Sequence, residues 1–302
     1  MKLKFHTLDV FTSRKFHGNP LAVVLDADCL TGALMQTIAR EFNLSETIFV
    51  MKPEDPRNTA RVRIFFPRGE MAFAGHPTVG CAVLLAEGKH KTGCSFETEI
   101  RLEENAGLVP VRVSRIGGAS RAMFTAPVTP FRVDANMPDA ATIAAALGIA
   151  KEDIGFGGHH AGVNEGGPRC LHVPIASRAA LAKAWPREPH WSALVAPLGT
   201  DMAYLYTPGG DDPTTAFRAR MFSPGGGIPE DPATGSATAL LAVQLLERER
   251  LGDGKHGWKI EQGYEMGRAS DLWLEADVAK GRLSAVRVAG EAVQVSEGML
   301  DI

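Results

Sequence analysis

IPEDPATGSATALLAVQLLERER, residues 228–250, sets two acids, a proline and a run of small polar residues in front of a helical segment that is apolar almost all round. A helix with one apolar stripe lies on a sheet, whereas one that is apolar on every face is enclosed. PTVGCAVLLA, residues 77–86, has the same character. Neither segment is long and uninterrupted enough to span a bilayer, which takes about 20 apolar residues. Each must be wrapped by protein, and strands are what the flanking sequence supplies. The expected fold is α+β, with a curved, barrel-like sheet around a central helix in each half of the chain.

The entries of these two helices repeat. Gly75-His76-Pro77-Thr78-Val79-Gly80-Cys81-Ala82 lines up with Glu230-Asp231-Pro232-Ala233-Thr234-Gly235-Ser236-Ala237. Upstream lie Ile64-Phe65-Phe66-Pro67 and Arg220-Met221-Phe222-Ser223-Pro224, each followed by a glycine-containing loop. This alignment sets His76 opposite Asp231 and Cys81 opposite Ser236. A single duplication at so long a period predicts two similar lobes with paired helix starts, not a solenoid.

Apolar runs and alternation predict strands at residues 21–25, 47–51, 60–66, 108–113, 257–261 and 283–288, with a further strand in MKLKFHTLDVF at the N-terminus. Helical periodicity covers residues 30–42, 77–87, 139–147, 177–183 and 233–251. Few strands alternate with helices, which argues against a doubly wound sheet. The first lobe is expected to contain residues 1–118 with about 290–302, and the second about 119–289. Pro- and Gly-bearing segments near 126–130 and 290 are the candidate crossings, and the active site is expected in the cleft between the lobes.

The net charge of -3, without a Lys/Arg cluster, argues against nucleic acid as a partner. The N-terminal segment lacks the apolar core and cleavage site of a signal peptide, so a cytoplasmic protein without membrane association is expected. Cys29, Cys81, Cys94 and Cys170 never fall at a metal or redox spacing, and no metal is expected.

Asp231 before Pro232 reads as an N-capping carboxylate followed by a first-turn proline, and a cap alone would explain it. His76 in the aligned position is a poor cap, so capping accounts for one half only. The alternative is that both helix starts address one substrate. Their unpaired N–H groups, approachable at Gly75, Gly80 and Gly235, would bind the carboxylate of a small molecule. Ser236 would donate from the first turn, and His76 and Asp231 would hydrogen-bond the ligand or move protons. Glu46, in Asn43-Leu44-Ser45-Glu46-Thr47-Ile48-Phe49-Val50, sits where an amphipathic helix meets an apolar strand. Partial burial there would suit it to general acid–base work, and an exposed turn acid or a salt bridge is the other reading. Asn19, in a Gly-Asn-Pro turn, either approaches the cleft or serves the turn.

Phe16-His17-Gly18-Asn19-Pro20-Leu21-Ala22-Val23-Val24, Leu44-Ser45-Glu46-Thr47, Phe73-Ala74-Gly75-His76-Pro77-Thr78-Val79-Gly80 and Glu230-Asp231-Pro232-Ala233-Thr234-Gly235-Ser236-Ala237 together resemble the phenazine-biosynthesis isomerase-like, or PhzF-like, family along nearly the whole chain. The resemblance implies the diaminopimelate epimerase fold, a homodimer and no cofactor. It implies Glu46 as proton shuttle, His76 and Asp231 as polar partners of the substrate, and Ser45, Gly75, Gly235 and Ser236 lining the anion site. The implied reaction isomerises dihydro-hydroxyanthranilate, moving a proton between ring carbons to give an enol that tautomerises to the ketone. Epimerases of this fold use two opposed thiols, a pattern this sequence departs from. A cofactor-independent epimerase or racemase would need Cys81 or Asp231 as second base. A non-catalytic carboxylate-binding protein is the reading from a different class.

Overall fold

The computed structural model describes every residue from Met1 to Ile302. The chain forms two units, one of Met1–Pro127, Arg268–Asp271 and Val288–Ile302, the other of Val128–Gly267 and Leu272–Arg287. The first crossing falls after Pro127, within the expected 126–130 segment but beyond the expected lobe limit at 118, because residues 120–125 form a strand that pairs with the one before it. The short return at Arg268–Asp271 has no signal in local composition.

The first unit contains β1 (Lys2–Val10), β2 (Asn19–Val24), α1 (Gly32–Phe42), β3 (Glu46–Met51), β4 (Ala60–Phe66), β5 (Gly69–Met71), α2 (Gly75–Lys89), β6 (Phe96–Glu104), β7 (Gly107–Arg115) and β8 (Ser120–Thr125). Pairing runs β1–β2–β3–β4–β6–β7–β8, with β2–β3 and β4–β6 parallel and the rest antiparallel. Alternation along β6 and β7 buries Ile100, Leu102, Val109, Val111 and Val113. β1, β2, β3, β6, β7 and β8 all contact α2. The apolar surface of α2 is therefore consumed on every side, as an enclosed helix requires. α1 is amphipathic, and Met35, Ile38 and Ala39 cover Leu3, Val24, Phe49 and Phe65.

The second unit contains β9 (Phe131–Arg132), α3 (Ala140–Leu147), β10 (Gly162–Glu165), β11 (Arg169–Pro174), α4 (Arg178–Lys183), α5 (His190–Val195), β12 (Ala203–Pro208), β13 (Thr215–Ser223), β14 (Ile228–Asp231), α6 (Gly235–Arg248), β15 (Gly254–Gln262) and most of β16 (Ser270–Ala279). Its sheet runs β9–β10–β11–β12–β13–β15, with β14 hairpinned onto β13. Trp191, Leu147, Leu171, Leu205 and Phe222 pack one core under α3, α4 and α5. The enclosed helix α6 is held by polar partners, with the His172 ring bonded to the Ala237 carbonyl at 3.0 Å and the Tyr204 and Thr238 hydroxyls 3.0 Å apart. A final strand, β17 (Arg282–Asp301), runs far beyond the expected 283–288, and its later part pairs with β1 from Val10↔Ala292 to Lys2↔Asp301. β8 also pairs with β17, which closes the barrel around α2. No helix is long and apolar enough to cross a membrane.

Each half carries a hairpin followed by an enclosed helix, and their equivalent positions differ from the expected register. Arg63 of β4 pairs with Glu70 of β5, and Arg220 of β13 pairs with Glu230 of β14. Glu70 stands five residues before Gly75 and Glu230 five before Gly235, and these glycines open α2 and α6. His76 therefore corresponds to Ser236 and Thr78 to Thr238, not His76 to Asp231 or Cys81 to Ser236. Proline occupies different places in the two halves: Pro77 is inside the first turn of α2, whereas Pro232 sits at a bend before α6. Proline suits both settings. Asp231 is accordingly not the helix cap. It ends β14 opposite Met221, and Thr234 takes the cap position.

Candidate active site

Asn43 stops α1 in the left-handed conformation (φ 49°), and the chain passes through Leu44 and half-buried Ser45 into β3, whose first residue is Glu46. Register places Glu46 beside Leu21 of β2, two residues after Asn19. His76 enters from the first turn of α2. Its Nε2 stands 3.3 Å from Glu46 Oε2, and its Nδ1 stands 3.3 Å from the Asn19 amide nitrogen. Glu46 is 8% exposed, His76 4% and Asn19 0%. Burial lowers the His76 pKa to about 3, against a ring hydrogen bond to the Pro20 carbonyl that favours the charged form. The imidazole is thus neutral near pH 7, with one N–H and one lone pair. A neutral imidazole can serve a facing carboxyl as a hydrogen-bond donor or acceptor, through its N–H or its lone pair, without taking up charge in a dry site.

Two residues that sequence reading did not single out support this group. Arg268 donates to Asp9 Oδ1 at 2.6 Å, to the Gly18 carbonyl at 2.9 Å and to the His17 carbonyl at 2.9 Å. Asp9 Oδ2 in turn accepts the Phe16 N–H at 2.5 Å, where the backbone is held at φ 69°. The turn that delivers Asn19 is thereby clamped from a segment some 250 residues away in sequence, which no local pattern announces. Below His76, the Thr78 hydroxyl donates to the Ala74 carbonyl at 2.7 Å and stands 2.7 Å from Glu104 Oε1, and burial raises the Glu104 pKa to about 8, so the protonated carboxyl donates to that hydroxyl. Cys81 is fully buried, with its thiol pushed well above the ordinary range by desolvation. Such a buried, undissociated thiol has the character of a structural filler.

In the second unit, Asp231, Gly235 and Ser236 gather at the start of α6, with Asp231 and Gly235 buried and Ser236 half-buried. The Thr234 hydroxyl donates to Asp231 Oδ2. Gln262 donates to the Asp231 carbonyl at 2.8 Å and to Thr234 Oγ1 at 3.1 Å, and accepts the Thr234 N–H at 3.1 Å. Neither Ala74, which caps α2, nor Thr234 gives its side chain to the helix behind it. Thr234 and Gln262 were not singled out from sequence, and only the adjacency of Thr234 to Gly235 could have pointed to one of them.

The sequence matches the family described as phenazine biosynthesis-like protein over residues 8–298. It is 43% identical over 298 residues to an uncharacterised isomerase of Mesorhizobium japonicum, covering 97% of each chain. It is 36% identical over 297 residues to a trans-2,3-dihydro-3-hydroxyanthranilate isomerase of Pseudomonas aeruginosa, covering 98% of each. Among solved structures, a phenazine biosynthesis protein of the PhzF family from Bacillus anthracis superposes with a TM-score of 0.89 at 24% identity over the full length of both chains.

Proposed function

Since this chain belongs to the phenazine biosynthesis-like family and is an isomerase, we propose that it moves a proton between two carbons of a small, cyclic, dihydro-hydroxyanthranilate-like carboxylate, with Glu46 as base and then acid. The observation that carries this reading is the buried Glu46–His76 couple, with Oε2 and Nε2 3.3 Å apart and the imidazole held neutral. Glu46 takes a proton from one ring carbon, and the released electron pair shifts along the conjugated system toward a second carbon. The same carboxyl returns the proton there. No atom or electron is gained or lost, and the enol so formed tautomerises to the ketone. His76 orients Glu46, the single carrier of the proton, and remains a neutral polar neighbour as the carboxyl changes state.

Asp231, Gly235 and Ser236 are proposed to hold the same substrate, with Ser45, Gly75 and Asn19 completing its polar contacts. Absence of a side-chain cap at either central helix leaves first-turn N–H groups for a carboxylate. The reading also includes a cytoplasmic homodimer, for which sedimentation should give twice the 32.3 kDa of one chain.

The experiment is turnover of trans-2,3-dihydro-3-hydroxyanthranilate in D2O. Wild type should place solvent deuterium on the product carbon in those turnovers in which the Glu46 carboxyl exchanges its proton with solvent before returning it. Glu46→Gln should lose roughly 10²–10⁴-fold in kcat while still binding the stable aromatic analogue 3-hydroxyanthranilate. Deuterium incorporation that persists in Glu46→Gln removes Glu46 from the role of base.

A further inference from the structure

We propose that Gln262 and Thr234 are positioning residues of the reaction, forming a one-way hydrogen-bond relay from Gln262 through Thr234 that fixes the orientation of the Asp231 carboxylate. The proposal rests on the reading of Asp231 as a substrate contact.

The direction of the relay follows from its partners. A backbone carbonyl can only accept and a backbone N–H can only donate. Gln262 touches one of each, the Asp231 carbonyl and the Thr234 N–H, so its amide has a single permitted orientation. The amide N–H then also points at Thr234 Oγ1. With that oxygen already accepting, the only hydroxyl proton of Thr234 goes to Asp231 Oδ2. The receiving oxygen must accept, and rotation of the carboxylate would strand a buried hydroxyl. Gln262 is fully buried, and Thr234 and Asp231 are 7% and 6% exposed, so water does not readily replace either bond. Asp231 needs such a hold because it stands outside α6, at the end of a four-residue strand.

The root of the relay is itself fixed. Glu261, next to Gln262 and fully buried, accepts the N–H groups of Asp211 and Asp212 at 2.8 and 2.9 Å and the Thr215 hydroxyl at 2.8 Å, and it pairs with Arg218 at 3.1 Å. The first unit repeats this root: Glu103 accepts the N–H groups of Glu54 and Asp55 at 2.7 and 2.9 Å. Beyond the root the two units differ: Glu104 bonds Thr78, the counterpart of Thr238, whereas Gln262 bonds Thr234, the counterpart of Ala74. An amide is the group that the second position needs. A carboxylate there would draw the Thr234 proton to itself and away from Asp231 Oδ2.

The test compares Thr234→Val, Thr234→Ser, Gln262→Glu and Asp231→Asn. Turnover of trans-2,3-dihydro-3-hydroxyanthranilate is measured together with thermal unfolding and crystal structures. Thr234→Val and Gln262→Glu should each lower kcat by roughly 10–100-fold and lower the unfolding midpoint through the lost buried hydrogen bond, and Thr234→Ser should restore kcat to within about threefold. In crystals of Thr234→Val the Asp231 carboxylate should turn from its wild-type orientation, while in Thr234→Ser it should not. An unmoved carboxylate in Thr234→Val overturns the relay whatever the substrate. Wild-type kcat in Thr234→Val beside an inactive Asp231→Asn overturns the relay and leaves the reading of Asp231 standing. Wild-type kcat in Asp231→Asn removes that reading, and the relay with it.

Discussion

At the start of the first central helix, the same burial pushes two side chains toward neutrality from opposite sides. Glu104 holds its proton up to about pH 8 in the folded chain, against an ordinary 4.5. Its contribution to stability is fully present below pH 4.5 and is lost as pH rises toward 8, because the unfolded carboxyl ionises first. His76, lowered from 6.5 to about 3, contributes stability above pH 6.5 that is lost as pH falls toward 3. Each limb should have a slope of roughly 1.4 kcal/mol per pH unit at most. Glu104→Gln keeps a neutral partner for Thr78 and should flatten the fall between pH 4.5 and 8, whereas His76→Gln should flatten the fall between pH 6.5 and 3. Urea midpoints measured across pH 3.5 to 8.5 check both, and a Glu104→Gln curve parallel to wild type would show that the carboxyl ionises in the native state. The position of Glu46 at a helix-to-strand junction was legible in sequence, and so was its partial burial. The neutrality of His76 was not, since the strands that desolvate it are scattered along the first unit.

Among the elements, α2 is the one whose surroundings leave least room. A Cβ on Gly80 would lie 2.6 Å from Leu21 Cδ2 and 2.7 Å from Val10 Cγ2, both in fully buried side chains. Alanine is the better helix former, yet the overpacking should outweigh that preference, so Gly80→Ala should destabilise by about 1–3 kcal/mol. At Gly88, in the exposed last turn of the same helix, an added methyl would meet nothing within 4 Å. Gly88→Ala should therefore stabilise by about 0.5–1 kcal/mol. Equilibrium unfolding of the pair decides the matter, and opposite signs are the expected result. Both central helices were readable because apolar character on every face has one physical solution. Their starts were harder: the repeat could be aligned on proline or on glycine, and only the Arg63–Glu70 and Arg220–Glu230 pairs across each hairpin fix which is right. Short α5 went unread because six residues give too little periodicity. Gln262 escaped for another reason, since its partner Thr234 is 28 residues away and nothing in either neighbourhood marks the bond.

Over the whole molecule, the first unit is built from both ends of the chain. β1 lies between β2 and the later part of β17, paired with the latter along its full length from Lys2 to Val10. Ending the chain after Gly290 would strip that flank, leaving β1 as a bare edge beside buried Leu3, Leu8 and Val10. Such a truncation should lose cooperative unfolding and aggregate, although it removes only a terminal segment. Moving the ends should be tolerated instead, because the Ile302 N–H donates to the Met1 carbonyl at 2.7 Å and a short Gly/Ser linker can join them. New ends belong between Gly117 and Gly118, in the turn between β7 and β8, where both residues have left-handed φ and no side-chain neighbours. The permutant keeps β1 between its two partners and should unfold in one transition near that of wild type, followed by circular dichroism during thermal denaturation. A truncated chain that unfolds as cooperatively as the permutant would show that β17 is dispensable to the first unit and that β1 is held by β2 and α2 alone.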